Sequence, residues 1–158
     1  MKTHYLFPYQ FKKIGWILLV AGIILGVLHL IVWDDLEFLD IKVFAIVHED
    51  FLDVRSTFTF AEVNILNEIA GLLLIVGGLF VAFSREKSED EFIARIRLES
   101  LVWATYINFA ILILTIIFVY GVPFLWVLVF NMFTILVFFI IRFNWLKYKS
   151  KKLLQNEE

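Results

Sequence analysis

The sequence predicts an all-α membrane protein: a four-transmembrane-helix bundle with a short extracytoplasmic β-hairpin-like segment. Three observations carry that expectation. Four apolar runs, 14–33, 61–83, 98–120 and 122–141, take up 86 of the 158 residues, and each is 20 to 23 residues long. At about 1.5 Å of rise per residue such runs span roughly 30 Å, the hydrocarbon thickness of a bilayer, whereas soluble helices average about 11–12 residues. The chain is 61% hydrophobic, more apolar surface than a soluble fold of this size can bury. The five tryptophans fall near the ends of the runs, Trp16, Trp103 and Trp145 on one side and Trp33 and Trp126 on the other, at the depth amphipathic indoles prefer.

Residues 1–158 are read as a single membrane domain with no attached soluble unit. Lys and Arg number three before the first run, two in 34–60, four in 84–97, none at 121–123 and five from Arg142 on. By the positive-inside rule both termini and the 84–97 connection are expected in the cytoplasm, with 34–60 outside. The bilayer is a bacterial inner (plasma) membrane in this reading. The absence of cysteine excludes thiol chemistry, disulfides and thiolate metal sites.

Taken in order, the first run follows YLFPYQFKK, a mix of aromatics and lysines suited to the headgroup layer, and has no small-x-small cleavage site after it. It is expected to be a retained helix. The segment 34–60 carries seven acids against Lys42 and Arg55. Leu39–Val47 begins with alternation and 56–60 alternates throughout, which predicts a hairpin turning around 48–55. Leu36, Leu39 and Val43 also fit a helix lying on the outer surface. The second run begins the second helix at Ala61. Ser88 and Glu91 stand in capping-box spacing, so the third helix is expected to start near Ser88 and project into the cytoplasm. Gly121-Val122-Pro123 predicts a minimal turn into the fourth helix, Pro being tolerated in a first helical turn. The tail from Arg142 is expected to form a surface helix whose Arg142, Lys147, Lys149, Lys151 and Lys152 meet lipid headgroups.

The stretch EDEFIARIRLESLVWATYINFAIL, with FLDIKVFAIV upstream and the ending NMFTILVFFIIRF, resembles small uncharacterised four-helix membrane proteins typical of Bacteroidota. The resemblance covers nearly the whole chain. It implies the architecture and an inner-membrane location, and it brings no activity and no site residue.

Several constellations are candidates for function. Gly22, Gly26, His29 and Trp33 share one face of the first helix, and Asn64, Asn67, Gly71, Gly78 and Ala82 form a comparable stripe on the second. Such small-residue faces pack backbones closely, within a protomer or between copies. His29 and Glu68 are expected at matching depths, as a structural pair or a proton- or cation-responsive one. Asn108, Asn131 and Thr134 are placed to join the last two helices, or with Thr105 and Thr115 to line a polar path. Arg95, Arg97 and Glu99 read as a solvated ion-pair network. The acids of 34–53 form either a solvated loop or a hard-cation site. His48 and Asp53 have the His-x4-Asp spacing of glycerolipid acyltransferases but lack the domain that chemistry needs, and no P-loop, nucleophile–His–acid set or zinc spacing occurs.

Function is therefore expected to be non-enzymatic and to work by association, as an accessory subunit of a larger membrane complex or a small homo-oligomer. Its expected partners are the lipid bilayer and a membrane protein or second copy, with no nucleic acid, cofactor, metal or catalytic residue. The alternative is a small transporter or channel using His29 and Glu68.

Overall fold

A computed structural model describes residues 5–32, 40–48, 56–87 and 89–155. It is mostly helical, in the order α1 (Tyr9–Val32), β1 (Asp40–His48), β2 (Ser56–Asn64), α2 (Leu66–Phe83), α3 (Glu91–Phe118) and α4 (Val122–Gln155). All four helices are long and apolar enough to cross a membrane. They form two antiparallel hairpins: α1 packs along α2, α3 packs along α4, and α2 against α4 is the main contact between the pairs. The start of α1, the end of α4 and the α2–α3 link lie at one end, here the terminal end. The β-strands lie at the other, the ribbon end.

The strands pair antiparallel with Phe44 opposite Phe60 and Asp40 opposite Asn64. A surface helix is thereby excluded for 40–48 and 56–64; the turn expected around 48–55 lies, from 49 on, outside the described residues. Strand β2 also runs four residues past the expected start of the second helix. Residues 61–64 pair across to 40–43, and interstrand hydrogen bonding wins over the helical continuation that local hydropathy suggests. Helix α2 begins only at Leu66, with Glu68 in its first turn.

Helix α3 starts at Glu91 rather than near Ser88, which itself lies outside the described residues. Its cap is Asp90, whose carboxylate accepts from Ile93 N at 2.8 Å. At the far end Gly121 takes a positive φ of 75°, a conformation glycine adopts without steric cost, and Phe124 N donates back to Gly121 O. Helix α4 then continues unbroken through the basic tail to Gln155, 34 residues or about 51 Å. The tail is an extension of the spanning helix, not a separate surface helix.

Two glycines set where α1 crosses α2. A Cβ on Gly77 would lie 2.6 Å from Leu19 N, and one on Gly15 would lie 2.7 Å from Phe80 Cβ and 2.8 Å from Val81 N. Gly22, one heptad on from Gly15, is also tight, with Leu74 N at 2.9 Å. Gly78 faces the other hairpin, against Leu136 of α4. Among the described residues Gly26 and Gly71 meet nothing within 4 Å, so the close approach to α2 expected at Gly26 does not occur: by that point α1 has left α2.

The core is displaced toward the terminal end. Val81, Ala82, Ile96, Ala104, Phe139, Ile140 and Phe143 form its buried cluster, with the Phe83, Phe139 and Phe143 rings stacked in series at 5.6 and 5.8 Å. Ala82, expected on the packing stripe, is buried there.

Candidate functional site

Three features stand out, one at each end of the helices and one between them. At the terminal end Glu86 and Glu89 bring charges from distant parts of the chain together. Glu86 accepts from Lys12 Nζ of α1 through one carboxylate oxygen and from Lys147 Nζ of α4, at 2.7 Å, through the other. Glu89 accepts from Arg97 of α3, with Nη2 at 3.2 Å, and from Glu86 N at 2.8 Å. Arg97 Nη2 also reaches Ser84 O at 3.4 Å. Phe143, fully buried, lies under both Lys12 and Arg97 at 5.7 and 5.3 Å. Phe7, ahead of α1, closes this end through an isolated parallel bridge, donating to Phe83 O and accepting from Arg85 N.

Burial by itself pushes the Glu86 carboxyl up, but the hydrogen bonds from Lys12 and Lys147, with their charges, outweigh it and hold the group below the ordinary carboxylate range. Arg97 and Glu86 are buried, so the solvated network expected around Arg97 is instead an internal lock joining all four helices. Arg142 donates to the exposed Glu99 at 3.0 Å and lies over Trp103, a surface pair. Of the five expected headgroup cations, Arg142 and Lys147 thus hold protein carboxylates, Lys149 lies over Trp145, and Lys152 is exposed. The side chain of Lys151 lies outside the described residues. The missed signal was depth: Lys12, Glu86, Arg97 and Lys147 all sit just beyond the same ends of the apolar runs.

Between the hairpins, toward the ribbon end, α1, α2 and α4 enclose a cleft of about 320 Å³. Its walls are apolar over most of their length, with Leu19, Leu74 and Phe133 among them, and its polar side chains, His29, Asn67 and Trp126, belong to the ends of the helices nearest the ribbon. Gly26 and Gly71 line it and keep it open. His29 is half-buried and Glu68 is exposed, and among the described residues they share no hydrogen bond or ion pair. The late start of α2 explains this: Glu68 sits at the helix entrance, where its charge suits the N-terminal dipole, rather than six residues inside. Asn64, in β2, is not on the helical stripe at all.

The polar residues of the second hairpin do not bridge it. Thr105, Thr115 and Thr134 donate to Leu101, Ile111 and Phe130 carbonyls of their own helices, at 2.8 to 3.2 Å. Asn108 is buried, and among the described residues the side-chain oxygens of Asn108 and Asn131 have no partner. Among the described residues no group of three or more His, Asp or Glu is gathered for a metal.

The third feature is the ribbon. Phe44 and Phe60 meet edge to face at 5.6 Å, Phe58 lies 6.4 Å from Phe44, and with Ile46 they form one face in which each residue is 58% to 72% exposed. Phe58 holds a φ of 55°, which is strained for a bulky residue. Among the described residues each strand has one neighbour, which leaves each with an open edge. Comparison with family models, curated proteins and solved structures finds no match for this chain.

Proposed function

We propose that this chain is a non-enzymatic multi-pass protein of a bacterial inner membrane, both termini cytoplasmic, that works by association, either as an accessory subunit of a larger membrane complex or as a small homo-oligomer. The observation that carries this reading is the ribbon. A two-stranded sheet is marginal by itself in water, and this one presents Phe44, Ile46, Phe58 and Phe60 on a single uncovered face. A contiguous apolar patch with two open edges is a surface built to be covered. The competing reading, transport coupled through His29 and Glu68, draws no support from contact between them. Thr105, Thr115 and Thr134 spend their hydroxyls on their own helices, which argues against a polar path.

The test is the mass of the particle released from native membranes into lipid nanodiscs. The expected mass exceeds that of one chain of 18.6 kDa, and replacing Phe44, Phe58 and Phe60 together with Ser returns it to the monomer while helix content is kept. A monomer before and after substitution would end the association reading.

A further inference from the structure

We propose that the cleft between α1, α2 and α4 holds one acyl chain of a bilayer glycerophospholipid, with the lipid's polar end at His29 and Asn67. The inference stands apart from the ribbon and uses only the four membrane-crossing helices.

Its walls belong to helices that are long and apolar enough to span the bilayer, so what enters sideways at that depth is hydrocarbon. Water is disfavoured, because an apolar cavity offers it too few polar partners. A cleft of about 320 Å³ takes a narrow occupant, and a transmembrane helix about 10–12 Å across is a broad one. That volume falls at the small end of ligand pockets, roughly 300–1,000 Å³, and the cleft is elongated, running from Leu19 to Leu30 along α1 and from Trp126 to Ile140 along α4.

The distribution of polarity matches one kind of molecule. Nothing polar lines the deep part, while His29 and Asn67 sit at the mouth, and among the described residues neither makes a side-chain hydrogen bond. A polar group inside a span is costly without a partner. An imidazole and a carboxamide at the ribbon end can both donate to phosphate or ester oxygens of a lipid whose chain lies along Gly26 and Gly71. Those glycines add a second argument. Among the described residues a Cβ on either meets nothing within 4 Å, so their small size is not needed for helix packing; it leaves space.

The test uses the whole protein in vesicles of phosphatidylethanolamine and phosphatidylglycerol containing a trace of phosphatidylethanolamine with a mid-chain diazirine, photolysed and mapped by mass spectrometry. Labelling by passing bulk lipid follows exposure, and would favour Ile113, Leu114 and Ile117 of α3, each more than half exposed. A resident chain instead favours the half-buried Leu74, Phe133 and Leu136 of the cleft, and at least fivefold more adduct there is expected. Equal or lower labelling of the cleft would overturn the proposal, with no variant required. In the Gly26→Leu, Gly71→Leu double variant, checked for unchanged helix content, cleft adducts are expected to fall to the level of α3; unchanged adducts would also overturn it.

Discussion

Glu86 is the residue on which the terminal end turns. Its two carboxylate oxygens are taken by cations 74 and 61 positions away in the chain, with only a few per cent of its side chain exposed. Removing one partner of a buried ion pair leaves the others uncompensated, at a cost of about 3 kcal/mol or more. Glu86→Ala should therefore lower the thermal unfolding midpoint in nanodiscs markedly, and Lys147→Ala less, since Lys147 is partly in solvent. Because the folded carboxyl sits below its ordinary range, its contribution is present above that range and is lost as pH falls through the lowered value. An acid titration of stability should show this limb in the native protein and a flatter one in Glu86→Gln. The charges themselves were legible as a topological signal. Their pairing was not, because nothing local in 12, 86, 97 and 147 says which partner each folds against, whereas His29 and Glu68 drew attention merely by interrupting apolar runs.

Among the elements, the crossing of α1 and α2 is the most exacting contact. Gly15 and Gly77 bring backbone to within what would be 2.6 to 3.0 Å of a Cβ. Gly77→Ala forces the helices apart and should cost about 1–3 kcal/mol, while Gly26→Ala, entering open space, should leave the unfolding midpoint within a degree or two. Equal effects would contradict this crossing point. A small-residue stripe on α1 was visible in the sequence, but Gly22 and Gly26 looked equivalent there. The distinction depends on the angle at which the helices diverge, a property of both partners and of the core at Phe139 and Phe143. The start of α2 is a similar case: the hydropathy of 61–64 is that of a helix entrance, and only pairing with 40–43 makes it a strand.

At the scale of the whole molecule, four apolar helices, the tight turn at Gly121 and the extended segment before α2 follow from local patterns, since length and hydropathy act residue by residue. The offset core, the open cleft and the uncovered ribbon follow from how the two hairpins meet, which no single stretch encodes. The proposed function rests on one arrangement, with the ribbon on the opposite side of the membrane from both termini. The chain has no cysteine, so Ser56→Cys in β2 and Ser150→Cys in α4 can each be offered a membrane-impermeant maleimide in intact cells. The expected result is labelling of Ser56→Cys before lysis and of Ser150→Cys only after it; labelling of both, or of neither, in intact cells would contradict the arrangement.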